Sequence, residues 1–384
     1  MPTLLLFDVD GVLIQPSGYK LALRDTVNYF ARRMGQADID LSFEEIATFE
    51  ACGLTNEWDS AALCVGALVV EVLLKAPALH RPTFDATLNA ILTANVTVAR
   101  PDFSGLAQEI AALNTEHHAV TDYTRKILCE RLPVEQRSIL DALFADIFSI
   151  ETPTTRIQQC HTLGHQRFFE TYGITAPFEA ESYLIVHDTP LLHQESYKKL
   201  LAWRSNGERD FCIFTARPSL PPTGKTLGYA PEADLAAELL GLLGQVPIIG
   251  AGRLQWLAER HQRTTADYIK PYPTQALTAI GAALSQQEVS ALEAAAALTE
   301  SNLLVSPLAD LRNQQTEVVV FEDSVGGILA AQRAVHKLQA YGLDVRLRSI
   351  GVSPEASKRA ALANVADVVV DDVNAGVMLV LGDS

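Results

Sequence analysis

Residues 4–14 read LLLFDVDGVLI, and this stretch decides the fold of the chain. Its apolar start does not alternate with polar residues, which is typical of a strand buried on both faces of a parallel sheet. Two carboxylates, Asp8 and Asp10, end the apolar run, and Gly11 lets the chain turn away without steric cost. Because ligands of such sheets bind at the carboxyl ends of the strands, we expect Asp8 and Asp10 to lie where chemistry is done.

Length and composition predict a large globular chain with more than one domain. The chain has 384 residues, whereas a single hydrophobic core usually stops growing at roughly 250–300 residues. Hydrophobic residues make up 48% of the sequence and charged residues 20%, so the chain can bury a sizeable core. We therefore predict one large domain and a second substantial one.

The charge balance excludes some classes of partner. The formal net charge of −16 would repel nucleic acid and anionic membrane surfaces, so we expect neither as a partner. The apolar N-terminal run lacks a preceding positive charge and is interrupted by Asp8 and Asp10, so it predicts neither a signal peptide nor a membrane span. We accordingly expect a cytoplasmic protein, and we interpret its five cysteines, which contain no Cys-x-x-Cys pair, as buried thiols.

Periodicity predicts a helical insertion within an α/β core. From about residue 19 to about residue 181 the pattern is helical, with a capping box at Ser42–Glu45 and further helices at 58–74 and 155–172. Strand patterns then alternate with helices, which predicts a parallel sheet. The predicted strands are residues 183–187, 211–214, 246–250, 318–321, 345–352 and 367–370. A second capping box, Ser285 to Glu288, predicts an extra helix over 285–298. We thus predict a Rossmann-like core formed by 1–15 and 183–384, and a helical domain formed by 16–182.

Candidate catalytic and phosphate-binding residues follow predicted strands or lie in a loop near one. Asp8 and Asp10 could divide the work between attack and proton transfer. Thr215 follows an apolar strand, and its hydroxyl, with the backbone N–H groups of Ala216 and its neighbour, is the kind of group that cradles phosphate. Lys270 lies in a proline-flanked loop before a helix that begins near Thr274, where it could supply a fixed positive charge.

Adjacent acids follow another apolar strand. Glu322 and Asp323 stand directly after four apolar residues, and carboxylates in such a place suit a hard cation such as Mg²⁺. A helix N-terminus decorated with acids would explain the favourable charge, but it would not explain two acids immediately after a buried strand.

Taken together, these four places resemble the haloacid dehalogenase superfamily of aspartate-nucleophile phosphotransferases. Asp8 and Asp10 match its first motif, Thr215 its second and Lys270 its third, while Glu322 with Asp323 matches its fourth. The form Glu-Asp-Ser-x-x-Gly-Ile is similar to the branch that includes β-phosphoglucomutase and small sugar-phosphate phosphatases. The insertion after the first strand is similar to the helical cap of that branch.

The resemblance implies a magnesium-dependent reaction on a small phosphorylated metabolite. Asp8 would attack phosphorus, and Asp10 would protonate the leaving oxygen and later deprotonate water. The residues implied to bind Mg²⁺ are Asp8, Asp10 through its backbone carbonyl, Glu322 and Asp323. The residues implied to hold the phosphoryl oxygens are Thr215, Ala216 and Lys270.

Several alternatives stay open at the level of the sequence. A phosphatase is the first interpretation, a phosphomutase is the second, and a non-catalytic binding protein of the same fold is the third. In the insertion, Asn56 and Trp58 resemble a substrate-specificity loop, and Arg217 in the core could meet an anionic leaving group. The loop could equally be a turn between helices in which Asn56 is an N-cap and Trp58 packs locally.

Overall fold

The computed structural model describes residues 2–113, 120–204, 209–312 and 314–382. The chain divides into two compact units. Met1–Pro16 together with Asp188–Ser384 form one of them, which we call the core unit, and Ser17–His187 form the other, the helical unit. The helical unit was predicted to span 16–182. It begins one residue later than predicted and ends five residues later than predicted.

Eight strands occur among the described residues, and all of them belong to the core unit. They are β1 (Thr3–Phe7), β2 (Ile14–Gln15), β3 (Thr189–Pro190), β4 (Arg209–Phe214), β5 (Ile248–Ile249), β6 (Thr316–Glu322), β7 (Val345–Val352) and β8 (Val368–Val370). Six of them form one parallel sheet in the order β5-β4-β1-β6-β7-β8, and β2 pairs with β3 in a short antiparallel ladder. The predicted α/β class with a parallel, Rossmann-like sheet is therefore confirmed.

The helical unit contains helices and no strand among its described residues. Its α-helices are α1 (Ser17–Arg33), α2 (Phe43–Ala51), α3 (Glu57–Lys75), α4 (Phe84–Ala94), α5 (Phe103–Leu113), α6 (Val120–Arg131), α7 (Asp141–Phe144), α8 (Pro153–Leu163), α9 (His165–Tyr172) and α10 (Tyr183–His187). Short 3₁₀ turns lie at Pro77–Leu79 and Val134–Leu140. The predicted capping box at Ser42 is present at the start of α2.

Two details of this unit differ from the predictions. The predicted strand over 183–187 is the helix α10, in which Leu184 is buried while Val186 is half exposed. A sheet strand buried on both faces would hide both side chains, so the apolar run was misleading. The predicted helix 155–172 is broken at Gly164, whose φ of 76° is favourable for glycine and ends α8.

The remaining helices belong to the core unit. They are α11 (Gln194–Arg204), α12 (Glu232–Leu239), α13 (Ala251–His261), α14 (Pro273–Ser285), α15 (Glu288–Glu300), α16 (Val325–Ala340), α17 (Ala356–Leu362) and α18 (Val373–Leu381), with 3₁₀ turns at Thr265–Asp267 and Leu308–Leu311. No helix in the described part of the chain is long and apolar enough to cross a membrane.

The extra helix is present as α15, but the capping box predicted to open it is absent. Helix α14 continues through Ser285, and no side chain caps the first turn of α15. The carboxylate of Glu288 instead accepts a hydrogen bond from the backbone N–H of Ile248 and pairs with Arg253. A long-range partner has thus displaced the local cap.

Helices cover both faces of the sheet, which explains the apolar run of β1. Leu4 and Leu6 belong to an apolar cluster formed with α13 to α16, whereas Leu5 and Phe7 belong to a second cluster formed with α11, α12 and α18. Successive side chains of a strand point to opposite faces, so a strand between two helical layers must be apolar throughout.

The position of β1 prepares the site. It lies between β4 and β6, and Phe7 pairs in register with Ile213 on one side and Phe321 on the other. From β4 the chain adds β5 outward on one side, and from β6 it adds β7 and β8 on the other. The carboxyl end of β1 is therefore a topological switch point, where ligands of parallel sheets bind.

Candidate functional site

Three of the four predicted groups of site residues lie together around the carboxyl end of β1. Asp8 follows β1 directly, and its backbone N–H donates to the carbonyl of Phe321 at 3.0 Å. Glu322 is the last residue of β6 and is fully buried, and Asp323 follows it. The loop before α14 brings Lys270 to the same point.

The ammonium group of Lys270 lies between two buried carboxylates. Its Nζ donates to Asp8 Oδ1 at 2.8 Å and to Glu322 Oε1 at 2.5 Å. The same atom lies 4.4 Å from the centroid of the Phe214 ring, which closes the site on the side of β4. Glu322 is held from its other side, because its Oε2 accepts hydrogen bonds from the Ser324 hydroxyl at 2.8 Å and from the Ser324 N–H at 3.2 Å.

The electrostatics of this group show a shortage of positive charge. Burial raises the pKa of Asp8 well above its ordinary value, and the carboxylate of Glu322 raises it further, while Lys270 opposes both. The pKa of Glu322 is also raised, again chiefly by burial. Burial acts to lower the pKa of Lys270, but Asp8 and Glu322 together outweigh it and raise that pKa. Lys270 therefore stays charged, and its single charge does not balance the acids around it.

The acids are arranged so that they can share one cation. One carboxylate oxygen from each of Asp8, Glu322 and Asp323 lies within 4.8 Å of the other two. Carboxylate oxygens are the ligands that Mg²⁺ prefers, and a cation there would relieve the repulsion that raises the Asp8 pKa. The three residues thus fit the predicted metal. The Asp10 side chain is turned to Arg217, which leaves the predicted ligand role to its backbone carbonyl.

Two glycines allow the acidic groups to approach closely. A Cβ on Gly327, near the start of α16, would lie 1.8 Å from Glu322 Oε1. A Cβ on Gly11 would lie 2.6 Å from Asp323 Oδ2, and the φ of Gly11 is +72°. Neither position can hold a larger residue without moving a carboxylate that belongs to the cluster. Asp323 is further held by Lys358, whose Nζ lies 2.8 Å from its Oδ2.

Asp10 lies in an ion-pair network with Arg217 and Asp188. The Arg217 Nη2 atom lies 2.6 Å from Asp10 Oδ1 and 2.9 Å from Asp188 Oδ2. The Nε atom also donates to both oxygens of Asp10, at 3.0 Å each. Arg217, which was predicted to meet an anionic leaving group, is only 3% exposed. Its guanidinium group instead binds the carboxylates of Asp10 and Asp188.

The predicted phosphate cradle, Thr215 with Ala216, directly follows the end of β4. Thr215 is buried, its N–H donates to the carbonyl of Ile249, and its hydroxyl accepts from the N–H of Arg217 at 3.2 Å. Ala216 is exposed. Because β4 neighbours β1, both residues lie at the same edge of the sheet as Asp8, just after the carboxyl end of β4. Their binding of phosphate stays a prediction.

Comparison with known proteins gives information on the fold alone. No family model matches the sequence, and no curated protein matches it either. The fold resembles that of a Northeast Structural Genomics Consortium target solved by X-ray crystallography, with a TM-score of 0.66 and 16% sequence identity over 100% of both chains. This likeness supports the α/β architecture and says nothing of activity.

Asn56 and Trp58, the predicted specificity residues of the insertion, lie at the start of α3 in the helical unit. Asn56 is the N-cap of α3, because its Oδ1 accepts from the N–H of Asp59 at 2.9 Å. Trp58 is partly buried against the core of its unit, and its ring centroid lies 6.3 Å from that of Tyr19 and 6.0 Å from that of Phe148. These contacts are those of the local-packing interpretation. A role in specificity stays a prediction.

Two residues of the site escaped the sequence analysis. Asp188 directly follows the segment 183–187 that was predicted as a strand. The sequence therefore showed that Asp188 ends a segment, but it did not show that Asp188 pairs with Arg217. Gln275 is fully buried on α14, where its side chain donates to the carbonyls of Thr215 and Ile249 and accepts from the N–H of Lys270. It joins the Lys270 loop to the ends of β4 and β5. A glutamine surrounded by apolar residues was the signal that could have indicated it.

Proposed function

We propose that this chain is a magnesium-dependent phosphomonoester hydrolase of the haloacid dehalogenase type. The observation that carries the proposal is the cluster of Asp8, Glu322 and Asp323, with one oxygen of each within 4.8 Å of the others, at the switch point of a parallel sheet. The hydrogen bond from Lys270 to Asp8 supports it, because a fixed cation beside a carboxylate suits a nucleophile that must receive a phosphoryl group.

The residues account for a complete hydrolytic cycle. Asp8 attacks phosphorus and forms an aspartyl-phosphate while the bond to the leaving oxygen breaks and Asp10 gives that oxygen its proton. In the second half, water attacks the same phosphorus, Asp10 takes a proton from it, and the bond from phosphorus to Asp8 breaks. The sum is the conversion of a phosphomonoester and water into an alcohol and inorganic phosphate.

Each supporting residue has a defined part. Asp8, Glu322 and Asp323 would hold Mg²⁺, with the backbone carbonyl of Asp10, and the bound ion supplies charge neutralisation between the nucleophile and the phosphoryl group. Lys270 orients Asp8 through their hydrogen bond. The backbone N–H of Ala216 would face the phosphoryl oxygens, because the N–H of Arg217 already donates to the Thr215 hydroxyl.

Phosphate release from a panel of phosphomonoesters tests the proposal. Sugar phosphates, phosphoglycolate, nucleotides and an aryl phosphate are offered with Mg²⁺ and with EDTA, to wild type, to Asp8→Asn and to Asp210→Asn. Asp210 is a matched control, since it pairs with Arg204 at the opposite end of β4. Release that requires Mg²⁺, survives in Asp210→Asn and falls by at least about 10³-fold in Asp8→Asn is the expected result.

Other outcomes assign other functions. Isomerisation of a sugar phosphate without net release of phosphate would replace the hydrolase with a phosphomutase. Absence of turnover, together with no covalent phosphate or beryllofluoride adduct on Asp8 by intact mass, would contradict catalysis and favour a binding protein.

A further inference from the structure

Arg217 joins two carboxylates of different exposure within the core unit. Its Nη2 atom contacts Asp10 at 2.6 Å and Asp188 at 2.9 Å. The side chain of Asp188 is 1% exposed and that of Arg217 is 2% exposed, whereas that of Asp10 is 35% exposed. Two buried groups are thus fixed behind one that faces outward. Asp188 is also the first residue of the core unit after the helical unit ends.

The backbone that carries Arg217 is held from several sides. Its N–H donates to the Thr215 hydroxyl, and its carbonyl accepts from the N–H of Ala251 at 2.9 Å. The same segment is packed tightly against α13, where a Cβ on Gly252 would lie 1.7 Å from the carbonyl oxygen of Ser219. A buried arginine on such a backbone presents its planar fork in one orientation.

The Asp10 carboxylate is held in place by the Arg217 guanidinium. It lies in the turn after β1, where Gly11 has a φ of +72° and an isolated bridge joins Asp10 to Ile14. Its carboxylate receives three hydrogen bonds from Arg217, two from Nε and one from Nη2. Removing the fork would return rotational freedom to the Asp10 side chain, and misplacement of a reacting group by about 1 Å can cost about 10²-fold in rate.

We infer that Arg217 and Asp188 are positioning residues for the Asp10 carboxyl group. Asp188 fixes the Arg217 guanidinium, and the guanidinium fixes the carboxyl group that gives its proton to the leaving oxygen. This inference rests on the proposed hydrolase function and adds two residues to it.

The identity of the leaving group separates positioning from a merely structural role. A basic alkoxide needs its proton as the bond to phosphorus breaks, whereas 2,4-dinitrophenolate leaves without one. Displacing the Asp10 carboxyl group should therefore slow the hydrolysis of alkyl phosphates and spare that of dinitrophenyl phosphate. General loss of structure would slow both equally. The ratio kcat/KM is the proper readout, since it covers the steps up to the first phosphoryl transfer.

The first variant is Asp188→Asn, which keeps the shape of the side chain. Glycerol 2-phosphate and 2,4-dinitrophenyl phosphate are compared at saturating Mg²⁺ in wild type, Asp188→Asn and the control Asp210→Asn. We expect kcat/KM for glycerol phosphate to fall about 10²-fold in Asp188→Asn, with a change below about threefold for the dinitrophenyl ester. Asp210→Asn should change neither. In an Asp10→Asn background, Asp188→Asn should cause no further loss, because the residue that it positions is gone.

The outcomes of this experiment are distinct from those that test the proposed function. If glycerol 2-phosphate is not hydrolysed, the alkyl phosphate of the panel with the highest kcat/KM takes its place. A wild type that hydrolyses no phosphomonoester of the panel, and that forms no adduct on Asp8, contradicts the proposed function and the inference with it. An active wild type whose two kcat/KM values fall by the same factor in Asp188→Asn, or do not fall, overturns the inference alone. If Asp188→Asn does not fold, by circular dichroism, Arg217→Lys is compared in the same way, because it keeps the charge and removes the fork.

Discussion

The Nζ atom of Lys270 lies 2.8 Å from Oδ1 of Asp8, although 262 residues separate the two in the chain. Both side chains are nearly inaccessible, and the same ammonium group also bonds Glu322. One cation therefore stabilises two carboxylates that burial would otherwise disfavour. This contact links the loop before α14 to the end of β1, and it makes Lys270 a structural residue as well as a candidate for catalysis.

Replacing Lys270 by methionine should destabilise the core unit by about 3–5 kcal/mol at neutral pH in EDTA, because it leaves two buried carboxylates without their cation. The loss should shrink as the pH falls, since the raised pKa of Asp8 lets that carboxyl take up a proton and become neutral. Urea denaturation in a Trp58→Phe background, followed by the fluorescence of Trp203 and Trp256, measures the free energy of unfolding of this unit. Lys337→Met, at a partly exposed position on α16, should cost less than about 0.5 kcal/mol. Equal losses of stability in Lys270→Met and Lys337→Met would contradict the conclusion that Lys270 stabilises the two buried carboxylates.

Two adjacent glycines of α16 should respond oppositely to alanine. A Cβ on Gly327 would lie 1.8 Å from Glu322 Oε1, so Gly327→Ala must displace a fully buried carboxylate. We expect it to destabilise the fold by about 1–3 kcal/mol and to weaken Mg²⁺ binding. A Cβ on Gly326 would have no neighbouring atom closer than 4.0 Å. Gly326→Ala should therefore be neutral or stabilising by about 0.5 kcal/mol, because alanine loses less conformational entropy than glycine when the chain folds.

Isothermal titration with Mg²⁺ and urea denaturation of the two alanine variants check this contrast. If Gly327→Ala bound Mg²⁺ as wild type does, the ion would not depend on the position of Glu322, and the proposed ligand set would be wrong.

The sequence predicted the parts of the fold that depend on local pattern. An unbroken apolar run predicted β1, and the structure explains it by the two helical layers that enclose Leu5 and Leu6. The meeting of Asp8 with Glu322 followed from a general rule, that parallel strands end at one edge of the sheet. The capping box at Ser42 followed from a rule that involves four consecutive residues.

The failures at residues 183–187 and at Glu288 involve partners that are distant in the chain, whereas the break at Gly164 has a local cause, the positive φ of that glycine. Residues 183–187 look like a strand, yet the N–H groups of Ile185 and Val186 donate to Ser182, and the Ser182 hydroxyl bonds the carbonyl of Thr162. Glu288 could have completed a local capping box, but it bonds Ile248 and Arg253 instead. Local propensity is a weak prior that tertiary contacts override, and a pairing such as that of Asp188 with Arg217 leaves no pattern in the sequence.

The helical unit should lose stability in mild acid through His161. Its ring is buried against Phe178 and Tyr183, at centroid distances of 4.7 Å and 5.1 Å, and neither ring nitrogen has a hydrogen-bond partner among the described residues. Burial lowers the pKa of His161 to about 4, although Asp25 opposes the shift. Well above pH 6.5 the ring is neutral in both the folded and the unfolded chain. As the pH falls from 6.5 toward 4, only the unfolded chain gains the proton, so the unit loses stability over that window.

At pH 5 this loss relative to pH 7 should be about 2 kcal/mol. It should vanish in His161→Phe and persist in His165→Gln, which alters an exposed histidine on α9. The pH titration of the His161 ring proton by NMR measures the pKa, and urea denaturation at both pH values, followed by Trp58 fluorescence in a Trp203→Phe, Trp256→Phe background, measures the loss of stability. A His161 pKa near 6.5 in the folded protein would contradict the burial argument.

Capping and substrate recognition make different predictions at Asn56. Its Oδ1 caps α3, and its Nδ2 donates to Asp59 Oδ2 at 2.7 Å. Asn56→Ala should cost about 1 kcal/mol, because the N–H of Asp59 loses its acceptor. Asn56→Ser keeps a capping oxygen and should recover most of that loss. Asn56→Asp is a poorer control, because its charge would lie against Asp59, whose pKa burial already raises.

Stability and specificity are therefore measured together in Asn56→Ala and Asn56→Ser, by urea denaturation and by the kcat/KM values for the two best substrates of the phosphate-release panel. If Asn56 is a cap only, the ratio of the two kcat/KM values should equal that of wild type in both variants, and serine should restore stability. A ratio that changes in both variants, with stability restored by serine, would require the carboxamide to contact the substrate. Trp58→Phe then decides whether the change extends to the neighbouring aromatic side chain, since phenylalanine keeps the packing against Tyr19 and Phe148 and removes the indole N–H.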